Sequence, residues 1–407
     1  MKILWQNEHY PDPVKGGGGA INTGYIVRAL QELGHNTVIL ARGSNNGSPY
    51  VEEIQGTKVQ RLPPVKMPGK LWPLWPLIEP RFTVDVVGEI AGFYDAFIGI
   101  DSSFALNVKK LYPRKPLVYR VEGSVKTHNE VVDSLRTESG SENNRPPSPM
   151  MKLVHFGNEF MDRRVWKKCD AIVVKSKFMK RELETLYHLA GDKIHIIPNG
   201  VDYDRYSTAK PSEDTRLRLN QNNSPRTIIV SCGRLVPMKN IGFLLQAFAA
   251  MRQRAHSTLA IVGDGQERDT LEKEAACLGI TAQVRFVGYT NRVEEFLAAA
   301  DIFVLPSIYE PFGNSLVEAM AAGLPCVALK PGSRVRTASD EILEDGSSGL
   351  LVSEDSPAEL AAALDSLVIS RELRLRIGRA GQARCEASYD WKACALRYLD
   401  LLAGTGN

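Results

Sequence analysis

Short apolar runs recur along this 407-residue chain, unbroken rather than alternating, and each opens into a polar or glycine-bearing loop. Unbroken runs of this length read as strands buried on both faces of a parallel sheet. In the first half they are Lys2–Gln6, Thr37–Ala41, Ala96–Ile100, Leu117–Val121, Ala171–Lys175 and the run opening at Ile194. In the second half they are Thr227–Cys232, Leu259–Val262, Val284–Val287, Ile302–Leu305, Cys326–Leu329 and Leu350–Val352. Segments of helical period lie between them: Asn22–Glu32 before Gly34, Thr83–Ala91, one closing on Arg163–Lys168, one opening at Ser176, Ser315–Ala322 before Gly323 and Pro325, and Glu386–Ala403. Strand, loop and helix in repeated order predict an α/β protein with a parallel sheet in each half. A single core rarely grows past roughly 250–300 residues, so two domains are expected. The seam is the turn dipeptide Asn199-Gly200, with polar, linker-like sequence over Pro211–Pro225.

Two stretches break the alternation. Leu62–Phe82 is proline-rich with two tryptophans, which forbids a regular central element; it reads as a packed irregular loop, an acceptor-lining segment or a membrane-interface contact. Thr137–Pro149, rich in Ser, Asn and Pro, is expected to be a mobile loop.

The candidate chemistry gathers at loops that follow strands. Ile302–Leu305 ends at Pro306, and Glu310, Pro311, Phe312, Gly313 and Asn314 lead into a helix carrying Glu318. A helix start at the carboxyl edge of a sheet offers amides and a positive dipole end to phosphate or sugar oxygens. Ser315-Leu-Val-Glu318 also fits a capping box in which Glu318 bonds only backbone; capping does not account for Glu310. After Thr227–Cys232 come Arg234 and Lys239, a bidentate fork and a point charge for phosphate, or ordinary surface charge. Lys15-Gly-Gly-Gly-Gly19 follows the first strand and reads as a ligand-approaching loop or a glycine hinge. The dinucleotide fingerprint is absent there, which argues against an NAD site. No Asp-x-Asp metal pair stands out at a strand end.

Glu310 and Glu318, seven residues apart within PFGNSLVEAMAAGLP, resemble the Glu-x7-Glu signature of retaining, nucleotide-sugar-dependent glycosyltransferases of family 4. The resemblance implies the GT-B architecture: two Rossmann-like doubly wound domains across a cleft, with a C-terminal helix crossing back. On that pattern residues 1–205 form the acceptor-side domain, with helix 386–404 packed on it, and residues 206–385 bind the donor. It further implies that Arg234 and Lys239 hold the diphosphate, Glu318 the ribose hydroxyls and Glu310 the sugar. The amides of Phe312, Gly313, Asn314 and Ser315 would bind sugar and phosphate oxygens. The backbone near Tyr289 would read the base, Gly263 and Gly265 would leave room for the nucleotide, and Gly17 and Gly18 would approach donor phosphate and acceptor. The family's histidine at the end of Leu117–Val121 is here Glu122, with His128 six residues on.

The expected activity is retaining transfer of a hexose or N-acetylhexosamine from a UDP-sugar to a hydroxyl of a small-molecule, saccharide or lipid-linked acceptor. No cofactor or metal is expected, the nucleotide-sugar being a substrate, and no nucleic-acid partner. Alternatives are a nucleotide-sugar epimerase, using Glu122 as an acid or base, and a non-catalytic binding protein. A cationic acceptor, drawn to Glu122, is a further expectation.

Composition narrows this picture only slightly. With 43% hydrophobic and 24% charged residues the chain is ordinary for a globular protein. No run reaches the roughly 18 apolar residues of a membrane span, and no signal peptide is read at the start, so a cytoplasmic protein is expected. The six scattered cysteines read as reduced core thiols. Residues 1–200 hold 27 Lys and Arg against 21 Asp and Glu, whereas the rest hold 23 against 26. The basic half is the side expected to meet a phosphorylated acceptor or, as a peripheral contact, the inner membrane face.

Overall fold

The computed structural model describes residues 1–11, 13–42, 51–62, 74–123, 127, 131, 149–219, 226–354 and 356–404. Most of the proline-rich stretch, His128, the Ser/Asn/Pro segment up to residue 148 and the end of the polar linker fall outside these. The chain divides into two compact units, Met1–Gly200 with Trp391–Asn407, and Val201–Asp390.

The first unit is built on β1 (Lys2–Gln6), β2 (Asn36–Arg42), β3 (Val51–Ile54), β4 (Thr57–Leu62), β5 (Ala96–Gly99), β6 (Leu117–Arg120), β7 (Ala171–Val174) and β8 (Ile194–Ile196). They lie in the order β3-β4-β2-β1-β5-β6-β7-β8, parallel except for the β3–β4 hairpin. The hairpin was not expected from the apolar runs, because β3 exposes alternate positions and buries none fully. The chain departs from β1 to either side, so the topological switch lies between β1 and β5.

The second unit holds β9 (Thr227–Cys232), β10 (Ser257–Val262), β11 (Val284–Gly288), β12 (Ile302–Leu305), β13 (Tyr309–Glu310), β14 (Cys326–Leu329), β15 (Arg336–Thr337) and β16 (Leu350–Val352). Six form one sheet in the order β11-β10-β9-β12-β14-β16, with its switch between β9 and β12, while β13 and β15 pair alone. The main strands β9, β10, β12 and β14 are almost wholly buried, as unbroken apolar runs require.

Several expected boundaries move. The helix expected from Thr83 begins at Trp75, inside the proline-rich stretch expected to be irregular, and carries Pro80 within it. It can begin there because Pro76 falls in its first turn, where no hydrogen bond is lost. The first helix spans Pro13–Glu32 and takes in the glycine run that was read as a loop; proline at a helix's first position costs no hydrogen bond. The helix after β12 spans Asn314–Ala321, one residue earlier than expected. The expected terminal helix is broken: Arg371–Ser388 ends at Tyr389, and a separate helix, Trp391–Gly404, returns to the first unit. There Trp391 stacks on Tyr25 at 5.7 Å and Tyr398 meets Trp5 edge-on at 5.2 Å.

Five cysteines are buried as expected, but Cys277 is exposed, because it closes a surface helix just before the Leu278-Gly279 turn. Among the described residues no helix is long and apolar enough to cross a membrane.

Candidate active site

In the second unit the loops leaving neighbouring strands are stitched together along the carboxyl edge of the sheet. Gly233 N donates to Val262 O and Leu235 N to Asp264 O, both at 2.9 Å, and Gly263 N donates to Gly288 O at 2.9 Å. On the other side Ile308 N donates to Met238 O at 3.0 Å, and Ala338 N to Glu310 O at 3.2 Å. The approach is so close that a Cβ on Gly263 would stand 1.9 Å from Gly233 O, and one on Gly265 2.3 Å from Leu235 O. Packing of loop on loop therefore demands both glycines, whatever room they also leave for a ligand. Tyr289 follows Gly288 directly and is exposed.

This band carries the candidate residues at the switch point, where open α/β sheets bind ligands. Arg234 and Lys239 come from the loop after β9, and Glu310 closes β13, the short strand in the connection that follows β12. Lys239 Nζ forms an ion pair with Glu310 Oε2, both side chains being mostly buried. Arg234 is exposed, and no ion pair of its guanidinium is found among the described residues.

Gly313 caps the helix Asn314–Ala321 from φ +107°, a conformation that favours glycine, without a side-chain cap. Ser315 is therefore inside the helix, which removes the capping-box reading. The amides of Asn314 and Ser315 lie in the first turn, where the helix itself has no use for them. Phe312 is buried and edge-on to Tyr389 at 5.7 Å, so its side chain belongs to the core. Glu318, one turn further, bonds Tyr206 rather than backbone. Burial pushes its carboxyl up to about 7, against the opposing pull of the Tyr206 bond and of Arg205.

The first unit gives Glu122 a setting that its sequence position did not disclose. It follows β6 and lies against Gly19, whose Cβ would stand 3.0 Å from Glu122 Oε2. Arg120 Nε is 2.8 Å from Oε1, an ion-pair contact whose angle falls short of a hydrogen bond, and Lys175 Nζ bonds Oε2. Arg120 is further held by Asn199 Oδ1 at 2.7 Å. Burial alone would raise the Glu122 pKa; Arg120 and Lys175 more than offset this and hold it at about 2. A carboxylate flanked by two buried cations has no charge to spare for a cationic acceptor, which corrects that expectation. Gly17 and Gly18 lie in the second turn of their helix, so their amides fall beyond the first four, which a helix leaves free.

Beside Glu122 is an open pocket lined by Asp101, Ser102, Tyr119, Arg120 and Asp162. Ser102 bonds both Asp162 and the Tyr119 hydroxyl, which is 3.1 Å from Asp162. Burial lifts Asp162 to about 6 against these two hydrogen bonds. Sequence reasoning missed this trio because its members come from a helix start, a strand and a distant helix. The one signal was an acidic residue breaking the apolar stripe of 149–168. Among the described residues no group of three or more His, Cys, Asp and Glu is placed to hold a metal ion.

The two halves match two family models, glycosyltransferase family 4 over residues 16–205 and glycosyl transferases group 1 over residues 213–384. The chain is a glycosyltransferase. An uncharacterised glycosyltransferase of Methanocaldococcus jannaschii is 26% identical over 96% of this chain and 95% of its own length. Sucrose-phosphate synthase from Thermosynechococcus elongatus superposes with a TM-score of 0.76 at 21% identity, covering 99% of this chain and 98% of the other. The Anabaena protein HepE, solved with UDP and glucose, gives 0.72 at 21% identity, covering 99% and 100%. The fold of this glycosyltransferase is GT-B.

Proposed function

We propose that this glycosyltransferase moves a hexose or N-acetylhexosamine from UDP to an acceptor hydroxyl with retention of configuration. The observation that carries the reading is the Lys239–Glu310 pair at the switch point of the second sheet, with Arg234 exposed in the same loop. Arg234 and Lys239 take the diphosphate, Glu310 the sugar hydroxyls and Glu318 the ribose. The choice of UDP follows from the UDP and glucose bound to the similar HepE.

As the bond from the anomeric carbon to phosphate breaks, negative charge grows on the diphosphate, where fixed cations stabilise it best. The acceptor oxygen bonds to the same face of that carbon, and its proton passes to the leaving phosphate oxygen. Glu122, the carboxylate an epimerase would use as its acid, is held ionised at about 2 and is a poor proton donor near neutral pH.

A thermal-shift screen of nucleotides and nucleotide-sugars, followed by transfer assays with the best donor, tests the reading. UDP should stabilise the protein; stabilisation by no nucleoside diphosphate would reject it. Turnover of a UDP-sugar to its epimer without acceptor would replace it.

A further inference from the structure

The helix Pro149–Lys168 of the first unit buries one side and shows the other to solvent. Met161, Val165 and Trp166 are buried, and Gly157 lies against Pro76 and Leu77. On the far side Leu153, Phe156 and Phe160 are 40%, 63% and 43% exposed. Lys152, Arg164 and Lys167 are exposed as well, and spacings of three and four residues set all six on one stripe.

Phe156 stacks on Phe160 at 6.4 Å, and Arg164 lies over the Phe160 ring at 5.8 Å. Neither acidic residue of the helix offsets these cations. Glu159 is taken by Arg163 at 2.9 Å, and Asp162 turns inward to Ser102 and Tyr119. At the far end Lys193 Nζ donates to the Lys167 carbonyl and adds another positive charge.

We propose that this face docks on an anionic lipid surface, the helix lying in the headgroup layer with Phe156 and Phe160 turned into it. An interfacial helix needs rings and aliphatic side chains bordered by lysine and arginine, with acidic groups elsewhere. The excess of 27 basic over 21 acidic residues in the first 200 draws the first unit to negative charge. The docking does not rest on the transfer reading, and its test needs no turnover.

The test is co-sedimentation of the full chain with vesicles of phosphatidylcholine plus phosphatidylglycerol, and with phosphatidylcholine alone. The wild type should pellet with the anionic vesicles and stay in solution with the neutral ones. Arg164→Gln/Lys167→Gln should weaken binding roughly thirtyfold at low salt, and Phe156→Ser/Phe160→Ser should abolish it, with unchanged thermal unfolding in both. Failure of the wild type to bind anionic vesicles, or full binding by both variants, overturns the proposal. So does a wild-type dimer that the phenylalanine variant dissociates, since the face is then a contact between copies.

Discussion

Glu310 and Glu122 both follow a strand of a parallel sheet, and both are paired to a lysine from a neighbouring loop. Both clusters carry one more cation than anion, but the surplus is placed differently. In the second unit the extra cation is Arg234, exposed and unclaimed by any ion pair found among the described residues. In the first unit Arg120 and Lys175 are both buried and both turned on Glu122. The first arrangement can receive an anion at little reorganisation, while the second has already spent its cations. Residue type names a charge; only the pairing says whether it is available.

The largest test of that contrast is Arg234→Ala. If Arg234 stabilises the leaving diphosphate, kcat/KM should fall by the equivalent of roughly 2–4 kcal/mol, with little change in thermal stability because the side chain is exposed. EDTA should leave transfer unchanged. A loss below threefold, or strict dependence on a divalent metal, would remove Arg234 and Lys239 from this role.

Glu310→Gln probes the other member of the cluster. The change frees Lys239 and removes a charged acceptor for sugar hydroxyls, so transfer should drop by roughly 1.5–3 kcal/mol. UDP affinity should hold or rise, since UDP lacks the transferred hexose that Glu310 would touch. A parallel fall in UDP affinity would mean that Glu310 acts through the loop and not on the sugar.

The contrast was only half legible in the sequence. Ile302–Leu305 and Thr227–Cys232 announce themselves as apolar runs, and the loops that follow them carry Glu310, Arg234 and Lys239. The hairpin Val51–Leu62 was hidden because its strands alternate with polar residues instead of running apolar. The glycine run was misread because four glycines suggest a loop until Pro13 is seen to start the helix. The setting of Glu122 was beyond reach: Lys175 arrives from 53 residues away and Asn199, behind Arg120, from 79. Local pattern identifies a strand and its end; it does not say which side chains from other loops meet there.

Glu122→Gln sharpens the view of the first cluster as a buttress. It leaves Arg120 and Lys175 without their anion, and removing one partner of a buried pair costs roughly 3–5 kcal/mol. Glu122 retains 29% exposure, so solvent reduces the cost, to roughly 1–2 kcal/mol. Its folded pKa, about 2, lies below the ordinary 4.5, so the stabilisation is present above 4.5 and lost as pH falls toward 2. Thermal unfolding of wild type and variant should therefore differ at neutral pH and converge in acid. Equal stability at neutral pH would show that the carboxylate supports nothing.

The smallest effect expected belongs to Glu318, whose carboxyl near 7 is raised by burial. The ionised form accepts on both oxygens, whereas protonation turns one of them into a donor and weakens the hold on two donating ribose hydroxyls. UDP affinity should therefore fall as pH drops through 7, by roughly tenfold between pH 8 and pH 6 for one linked proton. The diphosphate also takes up a proton in acid, so the decisive comparison is with Glu318→Gln, which keeps only the ligand's own pH dependence. Stability moves the other way: a raised folded pKa stabilises at low pH and loses that contribution as pH rises from 4.5 through 7. Glu318→Gln should thus melt at or above the wild-type temperature at pH 8 while binding UDP more weakly there. Identical pH profiles of UDP affinity in the two proteins would place the ribose elsewhere and leave Glu318 as the partner of Tyr206 alone.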